Sequence, residues 1–132
     1  MQRRSATLSP SAEAFLAENH LCTFITIRPD GSPHAAPVRF TWDPEARLAR
    51  VMTVGTRRKA QNVLARPGGR VSLCQVDGGR WLTLEGGAAV SDDPVRVREG
   101  VRRYTKRYWS RPPEPLGLVV IEIAVDRVLG LY

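Results

Sequence analysis

The chain is poor in side chains that do chemistry unaided. It holds two cysteines, Cys22 and Cys74, and two histidines, His20 and His34. Neither pair has metal-ligand spacing, so a clustered zinc site is excluded. There is no glycine-flanked nucleophile, no phosphate loop ending in Gly-Lys-Ser/Thr and no dinucleotide fingerprint. No apolar run approaches the roughly 20 residues of a membrane span, and Met1-Gln2-Arg3-Arg4 leads into polar residues instead of a signal core. The expected setting is the cytoplasm, with no membrane partner. Aromatics make up 7% of the chain, and Trp42, Trp81 and Trp109 form no obvious stacking platform. That argues against nucleic acid as a partner despite a net charge of +7. Lysine is also scarce: of 20 basic residues only Lys59 and Lys106 are lysines.

What is present centres on Gly55-Thr56-Arg57-Arg58-Lys59. It follows a strand-like run, Leu48 to Val54, and opens a short helix from Arg57 to about Ala65, with Thr56 as the expected N-cap. Three cations in a first helical turn have the wrong sign, because a helix N-terminus favours acids by ~0.3–1 kcal/mol per group. The later helix starts in the ordinary way, Ser91-Asp92-Asp93-Pro94. A basic helix start after a strand suits an anion: backbone N–H groups, dipole and side chains converge on a phosphate.

At 132 residues the chain makes one domain, residues 1–132, with a loose arm over residues 1–8. Ser9-Pro10 starts a helix whose apolar face is Ala12, Phe15 and Leu16, ending near Asn19 and His20. Leu21 to Arg28 reads as a strand buried on both faces. Pro29-Asp30-Gly31-Ser32 turns the chain back into Pro33 to Trp42, where Pro37 argues for an edge. Asp43-Pro44-Glu45-Ala46 turns again into Leu48 to Val54. Val71 to Val76 and Trp81 to Val90 form a hairpin around Asp77-Gly78-Gly79, and Gly86-Gly87 predicts a bulge. Pro94 to about Trp109 is a helix with Val97, Val101, Tyr104 and Tyr108 on one stripe. After the stiff connector Arg111 to Pro115, Leu118 to Val125 is a central strand, continued past a kink at Asp126 by Arg127 to Tyr132. Cys22 and Cys74 are expected to be buried free thiols. About six antiparallel strands with three short helices predict a mainly β, small closed or partly closed barrel. With no catalytic set of its own, an enzyme built this way needs an organic cofactor to carry the chemistry.

Phe24 to Val38 (Phe-Ile-Thr-Ile-Arg-Pro-Asp-Gly-Ser-Pro-His-Ala-Ala-Pro-Val), Phe40 to Pro44, Val51 to Asn62 with its Arg-Arg-Lys-Ala-Gln-Asn core, and Gln75 to Gly86 carry a resemblance. The chain resembles the split-barrel flavin and deazaflavin proteins related to pyridoxamine 5′-phosphate oxidase, and within them the small coenzyme F420-dependent reductases of the biliverdin reductase type. The resemblance implies a split barrel with Greek-key-like strand order and a homodimer with the cofactor between subunits. It implies hydride transfer from reduced F420 to a conjugated small-molecule acceptor such as biliverdin. His34, Ala35, Ala36, Pro37 and Val38 would line the deazaflavin ring, and Thr53, Val54 and Gly55 would pass beneath the ribityl chain. Arg57, Arg58, Lys59 and Asn62 would hold the phosphate, while Gln75, Arg80 and Trp81 match the cofactor-side strand. Arg39, Arg107 and Arg111 are the candidates for the cofactor tail or for substrate carboxylates. No buried acid marks a proton donor. An FMN-dependent oxidase or reductase, and a barrel that only carries F420, remain the alternatives.

Overall fold

The computed structural model describes residues 7–113 and 116–132. Seven strands form one sheet in the order β2-β1-β5-β6-β7-β4-β3, and every pairing is antiparallel. The strands are β1 (Cys22–Ile27), β2 (Pro33–Val38), β3 (Thr41–Asp43), β4 (Leu48–Val54), β5 (Arg70–Asp77), β6 (Arg80–Ser91) and β7 (Leu118–Leu131). The helices are α1 (Pro10–Ala17), α2 (Arg58–Ala65) and α3 (Pro94–Tyr108). The sheet curls around Phe15, Phe24, Phe40, Leu73, Leu82, Leu84, Ile121 and Ile123, all almost fully buried. Each such side chain contributes about 1.5–3 kcal/mol on leaving water. Helix α2 packs on β1 and β6, α3 on β3, β4 and β7, and α1 on β3. The architecture is a mainly β split barrel with three helices.

Local chemistry explains most boundaries. Ser9 caps α1, its Oγ accepting from Ala12 N at 3.1 Å, and Asp93 caps α3 by accepting from Val95 N. Gly78 takes φ 60° in the two-residue link between β5 and β6. The ladder shifts register between Glu85 and Gly86, where a Cβ on Gly86 would lie 1.9 Å from Ala124 O. Only glycine lets β7 come that close. Among the described residues, no helix is long and apolar enough to cross a membrane.

Five expectations change. The run Pro33 to Trp42 is not one strand: it divides at Arg39 and Phe40 into β2 and β3, which lie at opposite edges of the sheet, giving seven strands where six were expected. Strand β1 buries one face only. Cys22, Phe24 and Thr26 point inward, whereas Thr23 is exposed and Ile25 and Ile27 are half-buried. Thr56 does not cap α2. A turn closed by Arg57 N donating to Val54 O at 3.0 Å moves the cap position to Arg57, which makes no side-chain capping bond. Helix α1 ends at Ala17, so His20 lies beyond it, bonded to Glu18 at 2.9 Å. Cys22 is buried but Cys74 only half-buried; both are free thiols. Most of the arm expected over residues 1–8 lies outside the described residues, although Leu8 is buried. Residues 114 and 115 of the expected connector also lie outside them.

Candidate functional site

The basic helix start is present in the structure. Helix α2 carries no acid in its first turn and no side-chain cap, with Arg57 at the cap position and Arg58 the first helical residue. Its opening turn is pinned from inside the helix: Gln61 Nε2 donates to Gly55 O at 2.7 Å. This tie was not singled out in the sequence. It holds Val54 and Gly55 at the end of β4 directly before the cationic turn.

The same place gathers buried polar atoms that lack partners. His34 on β2 stands opposite Thr26 on β1. Asn62 Nδ2 reaches from α2 to donate to Thr26 Oγ1 at 2.9 Å. Two polar atoms are then left over, His34 Nδ1 and Asn62 Oδ1, both enclosed and without a hydrogen bond among the described residues. Burial, with Arg28, Lys59 and Arg58 adding repulsion, lowers the His34 pKa and keeps the ring neutral at pH 7. An unmade bond on a buried polar group costs about 1–3 kcal/mol. A polyol phosphate fits this chemistry: an anion for the helix start, and hydroxyls that can donate or accept for the two orphaned atoms.

Around this centre, Ala35 and Pro37 of edge strand β2 are exposed, His34 and Ala36 half-buried and Val38 buried. Thr53 is buried at the end of β4, beside the half-buried Val54 and Gly55. These residues belong to edge strand β2, to the end of β4, which is not paired with β2 in the sheet, and, with Arg57, Arg58, Lys59 and Asn62, to α2 and its cap position.

The remaining candidates lie elsewhere in the protomer. Gln75 is fully buried, donating to Phe15 O at 2.8 Å and accepting from Arg107 Nη2 at 2.7 Å. Arg107 also donates to Glu18 O and Phe40 O and stacks on Phe40 and Tyr108, each ring centroid 4.8 Å away. Burial pulls its pKa down from the usual arginine value. Arg80 chelates Glu18 through two bonds of 2.8 Å and also binds Asp77. Trp81 lies on the outward face of the sheet, between Val76 and Leu131. Arg111 is exposed.

Arg39 is exposed but positioned. Its Nη1 donates to Tyr104 Oη at 3.1 Å and Ser110 Oγ at 3.5 Å, and its guanidinium lies 5.0 Å from the Tyr108 ring centroid. Such a platform fixes the guanidinium plane while leaving other N–H groups for a carboxylate. The sequence placed Tyr104 and Tyr108 on one stripe but gave no sign that they cradle Arg39.

A split barrel with a cationic helix start is the architecture of the flavin-oxidase type. The chain matches the pyridoxamine 5′-phosphate oxidase family over residues 8–132 and belongs to that family. It is 48% identical over 130 residues to the F420H(2)-dependent biliverdin reductase of Mycobacterium tuberculosis, covering 98% of this chain and 93% of that protein. Among solved structures, a conserved hypothetical protein of Mycobacterium tuberculosis superposes with a TM-score of 0.78 at 20% identity, covering 98% of this chain and 89% of that one. A structure described as an F420 reductase superposes with a TM-score of 0.74 at 23% identity, covering 92% and 98%. At these identities the two structures speak for the fold.

Proposed function

We propose that this protein is an F420H2-dependent reductase that delivers a hydride to a conjugated acceptor such as biliverdin, working in the cytoplasm as a homodimer. The observation that carries the reading is the cationic start of α2, with no acid in its first turn, beside two buried polar atoms without hydrogen bonds among the described residues, in a chain 48% identical to an F420H(2)-dependent biliverdin reductase. Reduced F420 would supply the hydride. The protein binds and orients. Arg57, Arg58 and Lys59, with the N–H groups of the first turn of α2, take the phosphate. Asn62 Oδ1 and His34 Nδ1 hydrogen-bond to the polyol, and Thr53 to Gly55 support it from below. His34 to Val38 form the wall for the ring; the two prolines on this edge, Pro33 and Pro37, deny it to a pairing strand. Arg39 takes an acceptor carboxylate, with Arg111 close in sequence to its Ser110 partner.

The outward face of the sheet supports the dimer. Trp81, Val76, Leu129 and Leu131 are 36%, 58%, 44% and 68% exposed and share that face with Ile25, Ala35 and Pro37. An apolar surface of this kind calls for a partner, and a second copy would bring Trp81 and its strand to the first copy's cofactor. In that arrangement Gln75, Arg80 and Arg107 act as positioning residues. The test is titration of the purified protein with F420 and with FMN, followed by single-turnover oxidation of F420H2 by biliverdin. Tight F420 binding with turnover is expected. Preference for FMN would make the protein a flavin enzyme, and F420 binding without turnover of any conjugated acceptor would make it a carrier.

A further inference from the structure

A recess of about 490 Å³ lies between α1, the β3–β4 turn and α3, away from the start of α2. Its size is that of a small-molecule site. Leu16, Ala17 and Trp42 give it an apolar floor, and Trp109 stands at its edge. Trp109 is unusual twice over. It ends α3 in the left-handed region, φ 59° and ψ 25°, where glycine is the ordinary residue. Its indole is also 89% exposed. A bulky residue held in a strained conformation without burial gains nothing for the fold, and strain of this kind collects where ligands are clamped.

The charges around the recess sort into used and unused. Arg103 is engaged by Asp43 and Glu99. Arg107 is engaged by Glu18 O, Phe40 O and Gln75. Glu13 accepts from Trp42 Nε1 at 3.4 Å. Lys106 on α3 and Glu45 on the turn make no side-chain ion pair or hydrogen bond among the described residues. One unpaired cation and one unpaired anion therefore flank an indole-lined hollow from different elements.

We propose that this recess is a second small-molecule site, separate from the cofactor site, and that it takes a flat aromatic zwitterion of the aromatic amino acid class. The ring stacks on Trp109, the carboxylate pairs with Lys106 and the ammonium with Glu45. Neither the cofactor nor the acceptor is needed for this binding.

Calorimetric titration of the apo full chain with L-tryptophan, indole-3-propionate and tryptamine tests it. L-Tryptophan should bind most tightly. Lys106→Met should weaken L-tryptophan and indole-3-propionate about tenfold, the loss of one charge-assisted contact, and leave tryptamine unchanged. Glu45→Gln should weaken L-tryptophan and tryptamine alike and leave indole-3-propionate unchanged. Trp109→Gly should abolish binding of all three while raising the urea midpoint by relieving the left-handed strain, so lost binding cannot be mistaken for unfolding. Absence of saturable binding, or binding indifferent to these substitutions, overturns the proposal. So does a shift of the monomer–dimer balance in Trp109→Gly, which would make the recess a subunit contact.

Discussion

Asn62 and Thr26 join α2 to the inner face of β1 through a buried 2.9 Å hydrogen bond. That bond fixes how the cationic turn sits over the sheet, and it leaves Asn62 Oδ1 buried with no hydrogen bond among the described residues. Removing either partner strands the other. Asn62→Ala and Thr26→Val should each cost about 1–3 kcal/mol in urea unfolding, and the double variant should cost clearly less than the sum. Additive losses would show that the two side chains act independently.

Arg58 should be bad for the fold and good for the ligand. It is exposed at the first position of α2. Arg58→Ala should stabilise the apo protein by about 0.3–1 kcal/mol through the helix dipole. The same change should weaken F420 binding by about 1.5–3 kcal/mol, the value of a charged contact. Opposite signs in unfolding and titration are the signature; equal signs would remove the phosphate assignment. Thr56→Ala, by contrast, should stay within about 0.5 kcal/mol, because Thr56 lies outside the cap.

The basic turn was legible because its charges oppose the helix dipole, a conflict visible in five consecutive residues. Hairpins were legible for a similar reason: Gly78 and the Gly86-Gly87 bulge are local requirements. The division of Pro33 to Trp42 was not. Alternation continues through Val38, Phe40 and Trp42, and local period cannot say which neighbour a strand will choose. The outward face of β1 misled because Ile25 and Ile27 are apolar without being fully buried. The internal partners of Gln75 and Arg107 were not legible, because Phe15 O and Glu18 O come from a helix end far away in sequence.

Arg39 gives a kinetic prediction. Held on Tyr104 and Tyr108, it presents a guanidinium whose plane is set before the acceptor arrives. Arg39→Ala should raise KM for biliverdin about 10-fold or more with a smaller change in kcat, since carboxylate binding is equal in ground and transition states. Arg39→Lys should not restore it, because an ammonium lacks the planar fork. A fall in kcat with KM unchanged would move Arg39 into the hydride-transfer step.

Trp81 tests the dimer. It stands opposite Val76 and Leu131 on the exposed apolar face. Trp81→Glu sets a charge amid that face and should yield a folded monomer by light scattering, with F420 binding lost in parallel. A variant that stays dimeric would direct the search for the interface to another surface.

Asp43 should set part of the acid limit of stability. It is buried on β3 beside the buried Arg50, whose Nη1 lies 2.8 Å from Asp43 Oδ2, and Arg103 Nη2 comes within 3.1 Å. Burial pushes the Asp43 carboxyl up. The Arg50 bond, the Ala46 amide and the Arg103 charge outweigh it, so the pKa lies below the usual aspartate range. A carboxylate with a lowered native pKa contributes stability that is fully present above its unfolded value of about 3.9 and is lost as pH falls through the native value. Urea midpoints should therefore hold steady down to about pH 5 and decline below it. Asp43→Asn leaves the buried Arg50 with only the 3.9 Å contact of its Nε to Glu122 and should cost about 3 kcal/mol at neutral pH. It should also flatten the acid decline without abolishing it. Glu18, held to about 2 by Arg80 and His20, and Glu99, held to about 2 chiefly by Arg102, still protonate in the variant. An acid limb unchanged by Asp43→Asn would assign the pH dependence to the other carboxylates held low, Glu18, Glu99 and Asp30.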